Sequence, residues 1–229
     1  MCAALPQGAL GGQLYLWYSD AMDDTKARPK GSARERLLEL AEAAILQKGF
    51  GATSIDELVV GAGITKSGFF YHFKDKGDLA KALLERHFAR DDTILDGIFQ
   101  RAAELHDDPL HSFLIGLKLF AEMLDAMPEM HPGCLVASIC YQEQLFNREI
   151  REMNANGVLA WRTRFQAQLE RIAARHPPRI EVSLPDLADM LSTLVEGGIV
   201  MTRALREPRI LAQQILLYRE FIRAVFAPA

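Results

Sequence analysis

The chain has 229 residues, 49% of them hydrophobic and 24% charged, enough for one large or two small domains with a real core. No apolar run approaches the ~20 residues that a membrane span needs. The three cysteines, Cys2, Cys134 and Cys140, are odd in number and lack paired spacing. This excludes a disulfide framework and a structural zinc site, and points to a reduced, cytoplasmic chain. The net charge of −4 is uneven: from Lys26 to Arg90 there are 12 Lys/Arg against 8 Asp/Glu, or +4. The remainder holds 26 − 12 = 14 against 30 − 8 = 22, or −8. A basic segment on an acidic body suits a local phosphate-binding face.

Residues 1–30 are expected to form a flexible extension, rich in Gly and without helical periodicity. They begin without a basic stretch, so they do not read as a signal peptide. Organised sequence starts soon after Met22, which makes Met22 an alternative start. Lys26, Arg28 and Lys30 fit either a solvated lead-in or an arm touching DNA backbone.

The first helix is predicted over 33–48, with Leu37, Leu38, Ala41, Ala44 and Ile45 at helical spacing and Gly49 as its stop. Thr53 or Ser54 caps a second helix, with Asp56 and Glu57 in its first turn, and Gly63 ends it. Thr65 caps a very short third helix, KSGFFY. Asp75 caps a long fourth helix over about 76–104. Pro109 starts a fifth, running to about Met127, and a break between Pro128 and Pro132 follows. Pro132 is placed in the first turn of a sixth helix through GCLVASICYQEQ. Asn147 caps a seventh running to Arg175, Ser183 caps an eighth running to Arg206, and Pro208 starts the last. No strand pattern occurs. The fold expected is all-α, about nine helices, with an N-terminal three-helix helix-turn-helix domain (31–77) and a C-terminal helical domain (78–229).

The stretch Thr53–Leu79 carries the chemistry. A capped helix, a glycine turn, a basic mini-helix and a second capped helix arrive in the order of a helix-turn-helix DNA reader. Thr65, Lys66, Ser67 and Gly68 form the exposed start of the mini-helix, where backbone N–H groups and hydroxyls can hold phosphate. Gly68 leaves room for close backbone approach. Phe69 and Phe73 are expected to face inward. Tyr71 and His72 offer polar tips, and Lys76 stands at the positive N-terminus of the long helix.

GITKSGFFYHFKDKGDL resembles the DNA-binding signature of the tetracycline-repressor (TetR) family of one-component bacterial regulators. The resemblance covers about Ala33–Ala82. It implies that Thr53, Thr65, Lys66, Ser67, Tyr71, His72 and Lys76 contact DNA, mostly through phosphates. Phe70 departs from it where a phosphate-binding tyrosine is frequent, and Gly77 where an acid is usual. The resemblance also implies that the C-terminal helices form a ligand pocket and a dimer interface.

For the pocket, the middle helices offer Phe99, Phe113, Phe120, Met123, Met127, Cys134, Tyr141, Trp161 and Phe165, a lining suited to an apolar or aromatic effector. For the dimer, the last two long helices are unusually apolar, and Leu194, Gly197, Gly198, Met201, Leu216, Tyr218 and Phe221 are the interface candidates. Two glycines inside a helix cost ~1 kcal/mol each, which is tolerable where backbones approach closely. The same residues would also serve a monomer core. Cys134 and Cys140 are six apart and read as two buried thiols, with a redox or electrophile sensor as the alternative. His106 and His111 are five apart and do not form an i, i+4 metal pair; with His131 they read as solvent-facing or capping.

No Ser/His/Asp set, metal spacing, phosphate-cradling glycine loop or carboxylate pair points to an enzyme, and no cofactor is expected. The expectation is a homodimeric regulator, a repressor released from a palindromic DNA operator by a small-molecule effector, with no membrane partner. An activator or partner-regulated member of the same fold, or a helical small-molecule-binding protein without DNA binding, are the alternatives.

Overall fold

The computed structural model describes residues 31–127 and 130–226. The extension expected over 1–30, with Met22, Lys26, Arg28 and Lys30, and Pro128 lie outside the described residues. Within them the chain forms nine α-helices and one 3-10 turn, with no strand. These are α1 (Ala33–Lys48), α2 (Ile55–Ala62), α3 (Lys66–His72), α4 (Lys76–Leu105), α5 (Pro109–Asp125), α6 (Leu135–Cys140), a 3-10 turn (Glu143–Leu145), α7 (Arg148–Arg175), α8 (Leu184–Leu205) and α9 (Ile210–Phe226). None is long and apolar enough to cross a membrane.

The helices form two compact units that do not follow chain order. The first holds the described residues up to Asp92 together with Pro132–Trp161. The second holds those from Thr93 to His131 and from Arg162 onward. The boundary expected between residues 77 and 78 therefore does not coincide with a boundary between compact units. The reason is burial: Leu79, Leu83 and Leu84 of α4 are each at most 1% exposed and share one core with Leu37, Leu58, Phe69 and Phe73.

Local signals set the helix ends of the first unit. Ser32 and Glu35 form a reciprocal capping box at α1, with Ser32 N–H donating to Glu35 Oε2 (2.8 Å) and Glu35 N–H to Ser32 Oγ (3.2 Å). Ser54 and Glu57 repeat it at α2, which decides between Thr53 and Ser54 as the cap. Gly63 closes α2 at φ 64°, ψ 37°, a left-handed conformation that glycine adopts without Cβ strain. Between α1 and α4, Glu42 accepts from Arg86 (2.5 Å) and Arg90 (2.7 Å), one turn apart on α4. Burial pushes the Glu42 carboxyl up, but the two guanidiniums outweigh it and hold its pKa below the usual value.

The sixth helix starts later than expected. Cys134, not a residue at Pro132, is the N-cap, its Sγ accepting from Ala137 N–H at 3.4 Å. Pro132 thus lies outside the helix, and the run expected to be one helix is split into α6 and the 3-10 turn. Leu135, Ile139, Phe146 and Ile150 from this region join the core of the first unit.

In the second unit α9 packs against α5 and α8. Tyr218 is fully buried and donates its hydroxyl to Leu187 O at 2.8 Å, and Arg219 Nε donates to Leu114 O at 2.9 Å. Arg162 makes a fork onto Asp189 through Nε (2.7 Å) and Nη2 (2.6 Å).

Asp108 caps α5 and is the polar centre of this unit. It accepts from the N–H groups of Leu110 and His111 (both 3.1 Å), from His111 Nδ1 (2.9 Å) and from His176 Nε2 (2.7 Å) at the end of α7. His106 Nδ1 accepts from Asp108 N–H (3.0 Å), and its ring stacks on His111. His106 and His111 are both exposed and both bond to the capping residue Asp108, in keeping with the solvent-facing or capping roles read from sequence. No group of three or more His, Cys, Asp or Glu among the described residues could hold a metal ion. Burial pushes the Asp108 carboxyl up, but the hydrogen bonds from His176 and His111 prevail and hold it well below the usual carboxylate range. A depressed folded-state pKa contributes stability above the unfolded value of about 4, and that stability is lost as pH falls below it. Melting temperature measured against pH should therefore drop below about pH 4, and Asp108→Asn should start lower and show a shallower acid limb. An identical acid limb in the variant would remove Asp108 from this role.

Candidate nucleic-acid interface

The third helix is held from behind and open in front. Phe69 (0% exposed) and Phe73 (1%) pack into the core with ring centroids 5.7 Å apart, as their spacing predicts. Thr65 caps the helix by accepting from Gly68 N–H at 3.2 Å, and its Oγ1 lies 2.9 Å from Ser67 Oγ. Thr65, Lys66, Ser67, Phe70 and Tyr71 are exposed, Tyr71 by 85%. His72 is half-buried, its ring edge-on to Tyr71 at 5.0 Å.

Lys66 pairs with Asp56 at 3.0 Å, both side chains largely exposed. An exposed pair of this kind is worth ~0–1 kcal/mol, so the ammonium exchanges readily onto an incoming anion. A Cβ built on Gly68 would meet Ile64 and Thr65 no closer than 3.5 Å, which is ordinary contact. The fold therefore does not require glycine there.

Two of the residues grouped by sequence sit elsewhere. Thr53 is 1% exposed and donates its hydroxyl to Gly49 O at 3.0 Å, so it belongs to the frame of the α1–α2 turn. Its hydroxyl has no outward face to offer. Lys76 is half-buried: Nζ donates to Phe50 O at 2.8 Å and lies 4.3 Å from the centre of the Phe50 ring. Burial lowers the Lys76 pKa, and the nearby Glu57 carboxylate pulls it back up. An ammonium has three donors, and Phe50 O takes one of them.

Residues 37–83 match the family model for bacterial regulatory proteins of the tetR family. Residues 37–83 thus carry the tetR-family signature. The chain is similar to the HTH-type transcriptional repressor BepR of Brucella suis, 32% identical over 105 residues, covering 44% of this chain and 48% of BepR. The match thus spans about half the length of that relative. It is also similar to the transcriptional regulator AcuR of Cereibacter sphaeroides, 27% identical over 161 residues, covering 65% of this chain and 68% of AcuR. Among solved structures, the reduced form of E. coli NemR superposes with a TM-score of 0.68 over 87% of this chain and 100% of NemR, at 20% identity. At that identity the likeness speaks for the TetR fold alone.

The nine residues named from sequence as a pocket divide between the two units. Phe99, Phe113, Phe120, Met123, Met127 and Phe165 lie in the second unit. There Phe99 stacks on Phe113 (5.6 Å) and meets Phe165 edge-on (6.0 Å). Cys134, Tyr141 and Trp161 lie in the first unit. Trp161 packs on His87 and Phe88, and Tyr141 is 78% exposed. The thiols, expected to be buried, are not: Cys140 is exposed and Cys134 half-buried.

The interface candidates divide as well. Gly197, Met201, Leu216 and Phe221 are exposed and Leu194 is half-buried. Tyr218 and Gly198 are not on that surface. Tyr218 is part of the core, and a Cβ on Gly198 would meet Leu211 Cδ1 at 2.8 Å, so this glycine serves the packing of α8 on α9 within one chain. Val200, Leu205 and Leu217, which the sequence reading did not select, are exposed by 50–62%.

Proposed function

We propose that this chain is a TetR-family DNA-binding transcriptional regulator, a repressor that reads a two-fold operator as a homodimer and is released by an apolar or aromatic effector. The supporting observation is α3. Its back is pinned by Phe69 and Phe73, while Thr65, Lys66, Ser67 and Tyr71 stand exposed on one short helix of a size the major groove accepts. Thr65, Lys66, Ser67, Gly68, Tyr71 and His72 are the contact set, with Lys76 beside them at the start of α4. Thr53 acts by shaping the turn.

The dimer surface is the exposed apolar face of α8 and α9, including Met201, Leu216, Leu217 and Phe221. The effector site is built around Phe99, Phe113, Phe120, Met123, Met127 and Phe165. Helices α4 and α7 each contain residues of both units, which makes them the covalent route between effector and reader. Such coupling typically amounts to ~1–3 kcal/mol.

The test is equilibrium binding to duplexes selected from genomic fragments, measured at several salt concentrations. Affinity should fall steeply with salt. Lys66→Ala should lose more on the selected duplex than on random DNA. Gly68→Ala should keep the melting temperature and lose ~10-fold in affinity, the size of one disturbed base or backbone contact. Absence of salt-dependent binding to any duplex would overturn the reading.

A further inference from the structure

The turn between α1 and α2 is supported by a segment about 90 residues later in the chain. Gly51 N–H donates to Gln142 Oε1 at 3.0 Å. Gly49 takes φ 85°, and a Cβ there would lie 2.6 Å from Gln142 Nε2, so the amide fills the space against this turn. Leu145 Cδ1 would lie 3.1 Å from a Cβ on Gly51. Four residues after Gln142, the buried ring of Phe146 packs on Phe50 with centroids 4.5 Å apart. Phe50 is the residue whose carbonyl and ring hold the Lys76 ammonium. A continuous chain of contacts thus runs from Gln142 and Phe146 through Gly51 and Phe50 to Lys76, all within the first unit.

We infer that Gln142 and Phe146 are positioning residues for DNA binding, fixing the α1–α2 turn and the Lys76 ammonium from outside residues 37–83. This rests on the DNA-binding reading above. A lysine side chain is long and costly to order, so a phosphate contact from Lys76 is strong only if its ammonium is held in place beforehand. Phe50 provides that hold, and Phe50 is itself located by Phe146 and by the Gln142 clasp on the next residue. The segment from Cys134 to Asn147 is then a physical handle on the reader: a shift in it changes the geometry of the phosphate contact without touching DNA.

The test uses the full chain and the duplex selected above. Gln142→Leu keeps the side-chain volume and removes the acceptor for Gly51 N–H. The net worth of one intramolecular hydrogen bond is about fivefold in an equilibrium constant, and this is the most that releasing the turn takes from affinity. Gln142→Leu should weaken operator binding by up to that factor well below its melting temperature, while Lys76→Ala weakens binding and lowers the salt slope by about one. In the Lys76→Ala background Gln142→Leu should have little further effect, because the group it positions is gone. Phe146→Leu is the second variant, with the same expected loss of coupling to Lys76. Wild-type affinity in both variants, or an equal loss with and without Lys76, would overturn the inference as a purely structural role. Wild-type chain that binds no duplex overturns instead the DNA-binding reading on which it rests.

Discussion

Phe73→Ala should destabilise the first unit by about 3–5 kcal/mol, the usual cost of deleting a fully buried aromatic ring. Phe73 is 1% exposed, tilts against Phe69 and has the Arg34 guanidinium 5.3 Å from its ring centre. It lies in the loop between α3 and α4, so the cavity would open beneath both the reading helix and the start of the long one. Domains are stable by only about 5–15 kcal/mol, so this single change removes a large part of the margin. Urea unfolding should show the midpoint falling sharply, with operator binding lost on warming before the wild type loses it. Phe70→Ala is the control. It is 49% exposed and should change stability by less than about 1 kcal/mol. Equal effects at the two positions would mean that α3 is not anchored by its inner aromatic face.

The second large effect is expected at the α8–α9 surface. Met201→Glu with Leu217→Glu should yield a folded monomer of 25.6 kDa by light scattering, where the proposed wild-type dimer has twice that mass. Both side chains are exposed on the isolated chain, by 48% and 62%, so the charges face water in the monomer and its melting temperature should change little. In a two-fold interface the same substitutions bury four carboxylates at several kcal/mol each, more than a surface of this kind recovers. Operator affinity should fall by ~100-fold or more, because the two half-sites are no longer read by linked copies. A variant that stays dimeric would move the interface away from these residues. Tyr218→Ala tests a different property: this ring is buried and hydrogen-bonded to Leu187, so its loss should unfold the second unit and not merely separate subunits.

Both comparisons turn on the difference between a residue's type and its direction. Several helix ends, though not the start of α6, were legible in the chain because capping is local. Ser54, Thr65 and Ser183, read as caps from the chain, each accept from a backbone N–H group three residues on, and Gly63 takes the left-handed conformation its position implies. The inward faces of Phe69 and Phe73 were legible for the same reason, since four residues bring a side chain back to one helix face. Position 53 was ambiguous because Thr and Ser are both good caps. The choice fell to Ser54, and the Thr53 hydroxyl turned inward to Gly49 O.

Sequence by itself determined the all-helical fold, the helix-turn-helix in Thr53–Leu79, and the inner and outer faces of α3. These depend on hydrogen bonds and periodicities spanning three or four residues. Tertiary structure alone decided which apolar residues of α8 and α9 face their own chain, so that Tyr218 and Gly198 are core while Val200 and Leu217 are exposed. It alone separated the aromatic residues of the middle helices into two units. It alone brought Gln142 and Phe146 under the Gly49–Gly51 turn, across 91 residues in the case of Gln142 and Gly51. Burial and long-range hydrogen bonding depend on what packs opposite a residue, and no local pattern in the chain encodes its partner.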